Sequence, residues 1–190
     1  MATVFSNPPS NMTRTDHITT GLIPSLQKPV RQVLWIGCCD SSFRETTIHN
    51  LLPEEILEHR NLGNMIIEGD LSCETAVKHA IVDLQVKHIV ICGHYGCGIV
   101  KAASREGLQG PWSSKLDSLY TKHQGSIDQL PAGDRDRSFV ELNILQQVSS
   151  LQEIPEVADA IRQGNVRVHG IVYDPVNGKG LSVADAGYDH

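Results

Sequence analysis

The sequence predicts an α/β domain built on a mainly parallel sheet of four to five strands flanked by helices. Two observations carry this. Val33-Leu34-Trp35-Ile36-Gly37 and His88-Ile89-Val90-Ile91-Cys92-Gly93 are compact apolar runs ending in glycine, the pattern of strands buried on both faces. Around them, apolar residues recur at helical spacing, so strands alternate with helices as in βαβ units. The 190 residues suffice for one domain with a sizeable core, and no internal repeat, linker or low-complexity segment divides them.

The elements follow in order. Residues 1–30 read as a flexible N-terminal arm with a short helix around Ile23, and 31–190 as a single domain. The first strand is 33–37. Glu45 to Leu52 reads as a short helix stopped by Pro53. Ile56 and Leu57 lie in a second strand that runs into a polar loop, Arg60-Asn61-Leu62-Gly63-Asn64. Ser72 caps a helix in which Ala76, Val77, Ala80, Ile81 and Leu84 share one face. The third strand is 88–93, and Gly98 to Ser104 starts another helix. After a loop at Gly107–Pro111, Trp112–His123 and Ser138–Leu151 read as amphipathic helices. Pro155–Arg162 is shorter, ended by Gly164. Val166–Tyr173 is a fourth strand whose alternation predicts one wetter face. Pro175-Val176-Asn177-Gly178 is turn chemistry, and Leu181–Ala184 returns as an edge strand.

Bulk properties narrow the function. A formal net charge of -6 lacks the basic stripe of a nucleic-acid binder. No apolar run approaches the roughly 18 residues that span a membrane. Met1 to Asp16 has no secretory apolar core, and Arg14 is its only basic side chain, fewer than a mitochondrial leader carries. Five cysteines, an odd number in a chain too large to need disulfides, fit a reduced, cytoplasmic protein whose thiols remain free for metal.

Cys38 and His94 each follow the carboxyl end of a predicted parallel strand, the edge where open α/β sheets place their sites. Cys97 follows three residues after His94, among glycines 93, 96 and 98 that allow a tight turn. Taken singly, Cys38 reads as a buried core cysteine and His94 as a hydrogen-bonded loop histidine. Together with Cys97 they make two thiolates and one imidazole, the donor set of a zinc site with one position left for chemistry.

At these motifs the chain resembles the β-class carbonic anhydrases of plant and fungal type, from about Leu34 to Leu181. That family's first motif is a cysteine, any residue, an aspartate, a small residue and an arginine; here it stands as Cys38-Cys39-Asp40-Ser41-Ser42. The second, His-x-x-Cys, stands as His94-Tyr95-Gly96-Cys97. Arg60-Asn61-Leu62-Gly63-Asn64, Glu45-Thr46-Thr47, Glu141-Leu142-Asn143 and Val168-His169-Gly170 also match, in order. The resemblance implies Zn2+ held by Cys38, His94 and Cys97, and reversible hydration of carbon dioxide to bicarbonate by zinc-bound hydroxide. It implies a homodimer or homotetramer. The fourth ligand is then water, or Asp40 in a closed form.

Ser42 stands where the family carries the arginine that pairs with the aspartate. A hydroxyl supplies neither the charge nor the fork of a guanidinium. Asp40, the catalytic candidate, then either swings onto zinc or stays off it poorly oriented, and activity is expected to be weak. Arg44 is the nearest candidate substitute, since alternate residues of an extended segment project to one side. Phe43, Tyr95, Gly98 and Ile99 are candidates for the pocket wall, Ile99 narrowing the space beside the metal. Gln27 and Pro29 sit two residues earlier than the family's glutamine and proline. Two alternatives stand beside the anhydrase: a same-scaffold enzyme acting on carbonyl sulfide, carbon disulfide or another metabolite, and a catalytically silent zinc-binding homologue. Among the remaining residues, Cys39 and Cys92 read as core and Cys73 as a helix-terminus residue. His169 reads as structural, Trp112 and Tyr120 as core or interface, and His49 and His59 as either proton relays or surface residues.

Overall fold

The computed structural model describes residues 23–26, 30–45, 51–103 and 110–186. One sheet runs in the order β2-β1-β3-β4-β5, with β1 Val33–Cys38, β2 Ile56–Asn61, β3 His88–His94, β4 Arg167–Asp174 and β5 Lys179–Ala186. β1 pairs in parallel with β2 and β3, and β3 in parallel with β4; only β5 is antiparallel. Every residue of β1 is buried, which is why its sequence is apolar without alternation. Its side chains still divide with period two. Leu34, Ile36 and Cys38 join the core on the helical face, and Val33 and Trp35 join a second cluster with Ile23, Leu51, Val90, Cys92 and Ile171.

The α-helices among the described residues are α1 Leu71–Lys78, α2 Gly98–Ala103, α3 Pro111–Ile127, α4 Ala132–Gln152 and α5 Pro155–Arg162. α1 runs on into a π-helical turn, His79–Asp83. The longest helix, α4, buries Phe139, Ile144, Val148 and Leu151 against the sheet and packs on β3 and β4. Its approach is close: a Cβ on Gly93 would lie 2.8 Å from Ile144 Cδ1. Glycine at 93 therefore lets α4 seat directly beneath the strand end that carries His94.

Several expectations are corrected. α3 extends to Ile127 and α4 starts at Ala132, because polar residues continue both helices where no apolar period marks them. Asp70, not Ser72, caps α1, its carboxylate accepting from the Ser72 and Cys73 amides. Arg60 and Asn61 close β2 instead of opening the loop; the polar turn is Leu62–Asn64, with Gly63 left-handed at φ 76°. β4 is not wet on one face. Val168 through Val172 are buried, His169 Nε2 lying 3.0 Å from His88 Nδ1. Cys39 is exposed, not core. β1 ends at Cys38 and the chain turns there, Ser41 N–H donating to the Cys38 carbonyl, so strand alternation stops before position 39.

The remaining differences are local. Leu51 and Leu52 are not helical, and Pro53 opens a 3-10 turn; residues 46–50 of the predicted short helix, His49 among them, lie outside the described residues. The 107–111 loop is described only at its end, where Pro111 already begins α3. Most of the predicted arm, with Gln27 and Pro29, is also outside. Its described part is tied to the domain: Ile23 is fully buried, and Ser25 Oγ donates to Glu55 at 2.6 Å.

Candidate metal centre

Cys38 is the last residue of β1, His94 the last of β3, and these strands are hydrogen-bonded neighbours. Parallel pairing therefore brings both side chains to the same carboxyl edge. The chain leaves β3 through a turn with Gly96 at φ 78°, a conformation that glycine adopts freely, and returns Cys97 at the foot of α2. The two sulfurs and a His94 ring nitrogen all lie within 4.8 Å of one another, and all three residues are buried.

The donors fit zinc. Two sulfurs at ~2.3 Å from a tetrahedral zinc sit ~3.8 Å apart; here Sγ to Sγ is 3.8 Å. Among the described residues, buried His94 Nε2 has no hydrogen-bond partner, a cost that a metal bond removes. Cys38 accepts from the amides of Gly63 (3.3 Å) and Asp40 (3.4 Å), and Cys97 from those of Val100 and Ile99. The hydrogen bond from Cys97 holds Cys38 well below the usual thiol range against the effect of burial, while the same bond and burial push Cys97 up. A divalent cation bound between the two sulfurs would displace the thiol protons.

Asp40 is not a member of this group. Its Oδ2 accepts from the Gly98 amide at 2.7 Å. The contact is close enough that a Cβ on residue 98 would stand 3.4 Å from the same oxygen. Ser42 and Arg44 are both exposed, and Arg44 makes no ion pair with Asp40 among the described residues. A backbone N–H, not a side chain, anchors the carboxylate. No pattern of side-chain types announces such a partner, which is why the sequence reading did not find it.

The pocket-wall candidates separate. Gly98 and Ile99 lie beside Asp40 and Cys97. Phe43 stacks on Tyr173 (ring centroids 4.1 Å) and meets Trp35 edge-on, so it belongs to the cluster on the other face of the sheet from Cys38. Tyr95 is buried, its hydroxyl on Glu141 and its ring 3.7 Å beneath the Arg137 guanidinium. The loop after Cys38 is fixed instead by Arg60. Its Nη1 donates to the Cys38 carbonyl (2.8 Å) and Nη2 to that of Phe43 (3.2 Å), while the guanidinium pairs with Glu45 and Glu58.

The other singled-out residues fall outside the group. Cys73 is buried, its thiol pushed up to about 12 by burial and then by Asp70 and Glu74. Cys92 is core, its thiol raised by burial. Half-buried Trp112 donates to the Leu62 carbonyl, and Tyr120 to Asp128. His59 is half-buried, and its Nε2 has no partner among the described residues. Glu141 and Asn143, matched in the sequence without a role, and Gln147, which the sequence did not single out, are all buried on α4. The signal for them is polar residues interrupting an apolar helix face.

A family model described as "Carbonic anhydrase" matches residues 33–180. The chain is 34% identical over 152 residues to a "Carbonic anhydrase" of Emericella nidulans, covering 77% of this chain and 67% of that protein. It is 30% identical to one of Candida albicans, of which it spans 53%. Among solved structures it is similar to the β-carbonic anhydrase CafD of Aspergillus fumigatus (44% identity, TM-score 0.75, 84% of this chain and 93% of that). It is also similar to one of two tetrameric β-carbonic anhydrases of Sordaria macrospora (29% identity, TM-score 0.77, 83% of each chain).

Proposed function

The chain belongs to the β-class carbonic anhydrase family, and from that premise we propose that it hydrates carbon dioxide reversibly to bicarbonate at a zinc ion held by Cys38, His94 and Cys97. The observation that carries this is the group of three buried donors at tetrahedral spacing, with Asp40 committed elsewhere. Three protein ligands, not four, are the donor set of a zinc that reacts. Neither alternative from the sequence, another small electrophile or a silent site, is favoured.

Zinc in such a site lowers the pKa of water and so supplies a nucleophile near neutral pH. The chain's own residues do the rest. Cys38 and Cys97 bring two negative charges to the cation, so the nucleophile forms at higher pH than with neutral ligands, and activity is expected to rise toward alkaline pH. Gly98 holds Asp40 by Oδ2, which leaves Oδ1 to accept a hydrogen bond from the attacking oxygen and so orient its lone pair. Ile99 adds apolar surface for a nonpolar substrate.

Stopped-flow hydration by the zinc-loaded protein, at neutral and alkaline pH, tests this against Cys97→Ser. Rates well above that variant support the reading; equal rates at full zinc occupancy overturn it. The chain is also read as a homo-oligomer, at least a dimer, as the tetrameric relative supports. Light scattering of the eluted protein tests this, a single-protomer mass refuting it. Two ligand thiols must stay reduced to bind metal, which supports a cytoplasmic location; fractionation of a tagged chain checks it.

A further inference from the structure

One of the three donors, Cys38, is reached from behind by a chain of amides on α4. Gln147 Oε1 accepts from the Ile66 N–H (2.8 Å). Gln147 Nε2 donates to Asn143 Oδ1 (2.8 Å), and Asn143 Nδ2 donates to the Gly63 carbonyl (2.9 Å). Gly63 in turn directs its N–H at Cys38 Sγ. Both side-chain amides are buried, Asn143 at 1% exposure.

The polarity of this relay has only one solution. A backbone N–H can only donate, so Gln147 must turn its oxygen to Ile66 and its nitrogen to Asn143. Asn143 must then accept with its oxygen and donate with its nitrogen. That nitrogen faces a carbonyl, which only accepts. The turn it grips needs contacts to hold it, since Gly63 and Asn64 both have positive φ (76° and 49°). From within the turn, the Asn61 side chain bonds both the N–H and the carbonyl of Met65. From outside, the relay is what ties residue 63 to the rigid helix.

We propose that Asn143, oriented by Gln147, is a positioning residue for the metal centre. It fixes Gly63 so that the amide donates to the Cys38 thiolate, and so sets both the direction and the electron donation of that ligand. This rests on the zinc reading above. Groups behind a metal ligand typically change metal affinity by about 10–100-fold when removed. A helix that only packed against the sheet would lose stability on substitution without changing the ligand field.

The experiment uses cobalt(II)-substituted and zinc-loaded full chain. The thiolate-to-cobalt charge-transfer band is recorded, and zinc affinity is measured by competition with a chromophoric chelator. The proteins are wild type, Asn143→Leu, Gln147→Glu and a same-helix control, Gln146→Leu, whose side chain lies outside the relay and reaches Ser150. We expect the band to shift and zinc affinity to fall by about tenfold or more in Asn143→Leu and Gln147→Glu, with the control unchanged. Gln147→Glu is the milder change and keeps the test alive if Asn143→Leu does not fold. Unchanged band and affinity in the folded relay variants overturn the inference and leave the zinc reading standing. Absence of any thiolate–cobalt band in wild type overturns both.

Discussion

An arginine brings an aspartate two parallel donors and a positive charge; the Gly98 amide brings one donor and none. Asp40 is therefore held, but by the weaker of the two arrangements. Placing the guanidinium back should strengthen the hold. Position 42 is exposed and has room for it. A charge-assisted hydrogen bond contributes ~1.5–3 kcal/mol, so Ser42→Arg is expected to raise kcat/KM for hydration by roughly tenfold, measured at matched zinc content. An unchanged value would mean that the amide already orients Asp40 sufficiently. At the same scale, thiol accessibility separates the cysteines. Cys39 is exposed, whereas Cys73 and Cys92 are buried with raised thiols. A disulfide reagent added to the native zinc-loaded protein should consume one thiol rapidly, and Cys39→Ser should remove that phase. The three ligands were legible in the sequence because residue type and spacing encode them. Cys39 was misread because strand alternation was carried one residue past Cys38, where the chain turns. The Gly98 amide was illegible because backbone donors have no residue type.

Two close constraints hold the elements together, the first at the site and the second at the opposite edge of the sheet. The first is α4 on β3 at Gly93. A methyl there would overlap Ile144, whose Cδ1 and Cγ1 would lie 2.8 and 2.9 Å away. Gly93→Ala is expected to cost about 1–3 kcal/mol by overpacking, read from urea unfolding. Ile144→Val in the same protein, which removes Cδ1, should recover part of the loss; if it recovers none, the strain lies elsewhere. The second is Glu55, fully buried at the end of the 3-10 turn that leads into β2. Burial alone would raise its pKa. Hydrogen bonds from Ser25, Leu52, Leu26 and Gln32 outweigh that and lower it. A carboxylate lowered on folding contributes stability that is present above its unfolded pKa of ~4.3 and is lost as pH falls through and below that value. Thermal melts should hold steady above about pH 5 and fall below it, with Glu55→Gln less stable at neutral pH and less steeply acid-sensitive. Equal acid slopes in the two proteins would remove Glu55 from the account. These tertiary facts lay beyond the sequence, as did the long first turns of α4. Gly93 announces only freedom, Glu55 only charge, and the polar residues 133–137 carry no period. Strand cores were legible because burial on both faces writes itself as an unbroken apolar run.

At the scale of the whole molecule, the metal ties together parts that the chain joins only distantly. Cys38 closes β1, His94 closes β3 and Cys97 precedes α2, so a zinc ion links two neighbouring strands and the helix that follows them. A mainly parallel sheet was foreseeable, though not its order β2-β1-β3-β4-β5, and the carboxyl edge of such a sheet is where all three ligands meet. Metal that binds only the folded state stabilises it by mass action, by ~4 kcal/mol at a thousandfold excess over the dissociation constant. For a domain of this size, where each kcal/mol shifts Tm by roughly 2–4 °C, zinc should raise the melting temperature of the metal-free protein by roughly 8–16 °C. Because the thiols must lose protons to bind, the shift should shrink as pH falls. Cys97→Ser should lose most of the shift while its metal-free form melts close to metal-free wild type, since a hydroxyl replaces the thiol with little change in volume. A Cys97→Ser protein that still gained the full shift would place the stabilising zinc away from this centre. A metal-free variant far less stable than metal-free wild type would instead assign Cys97 to packing.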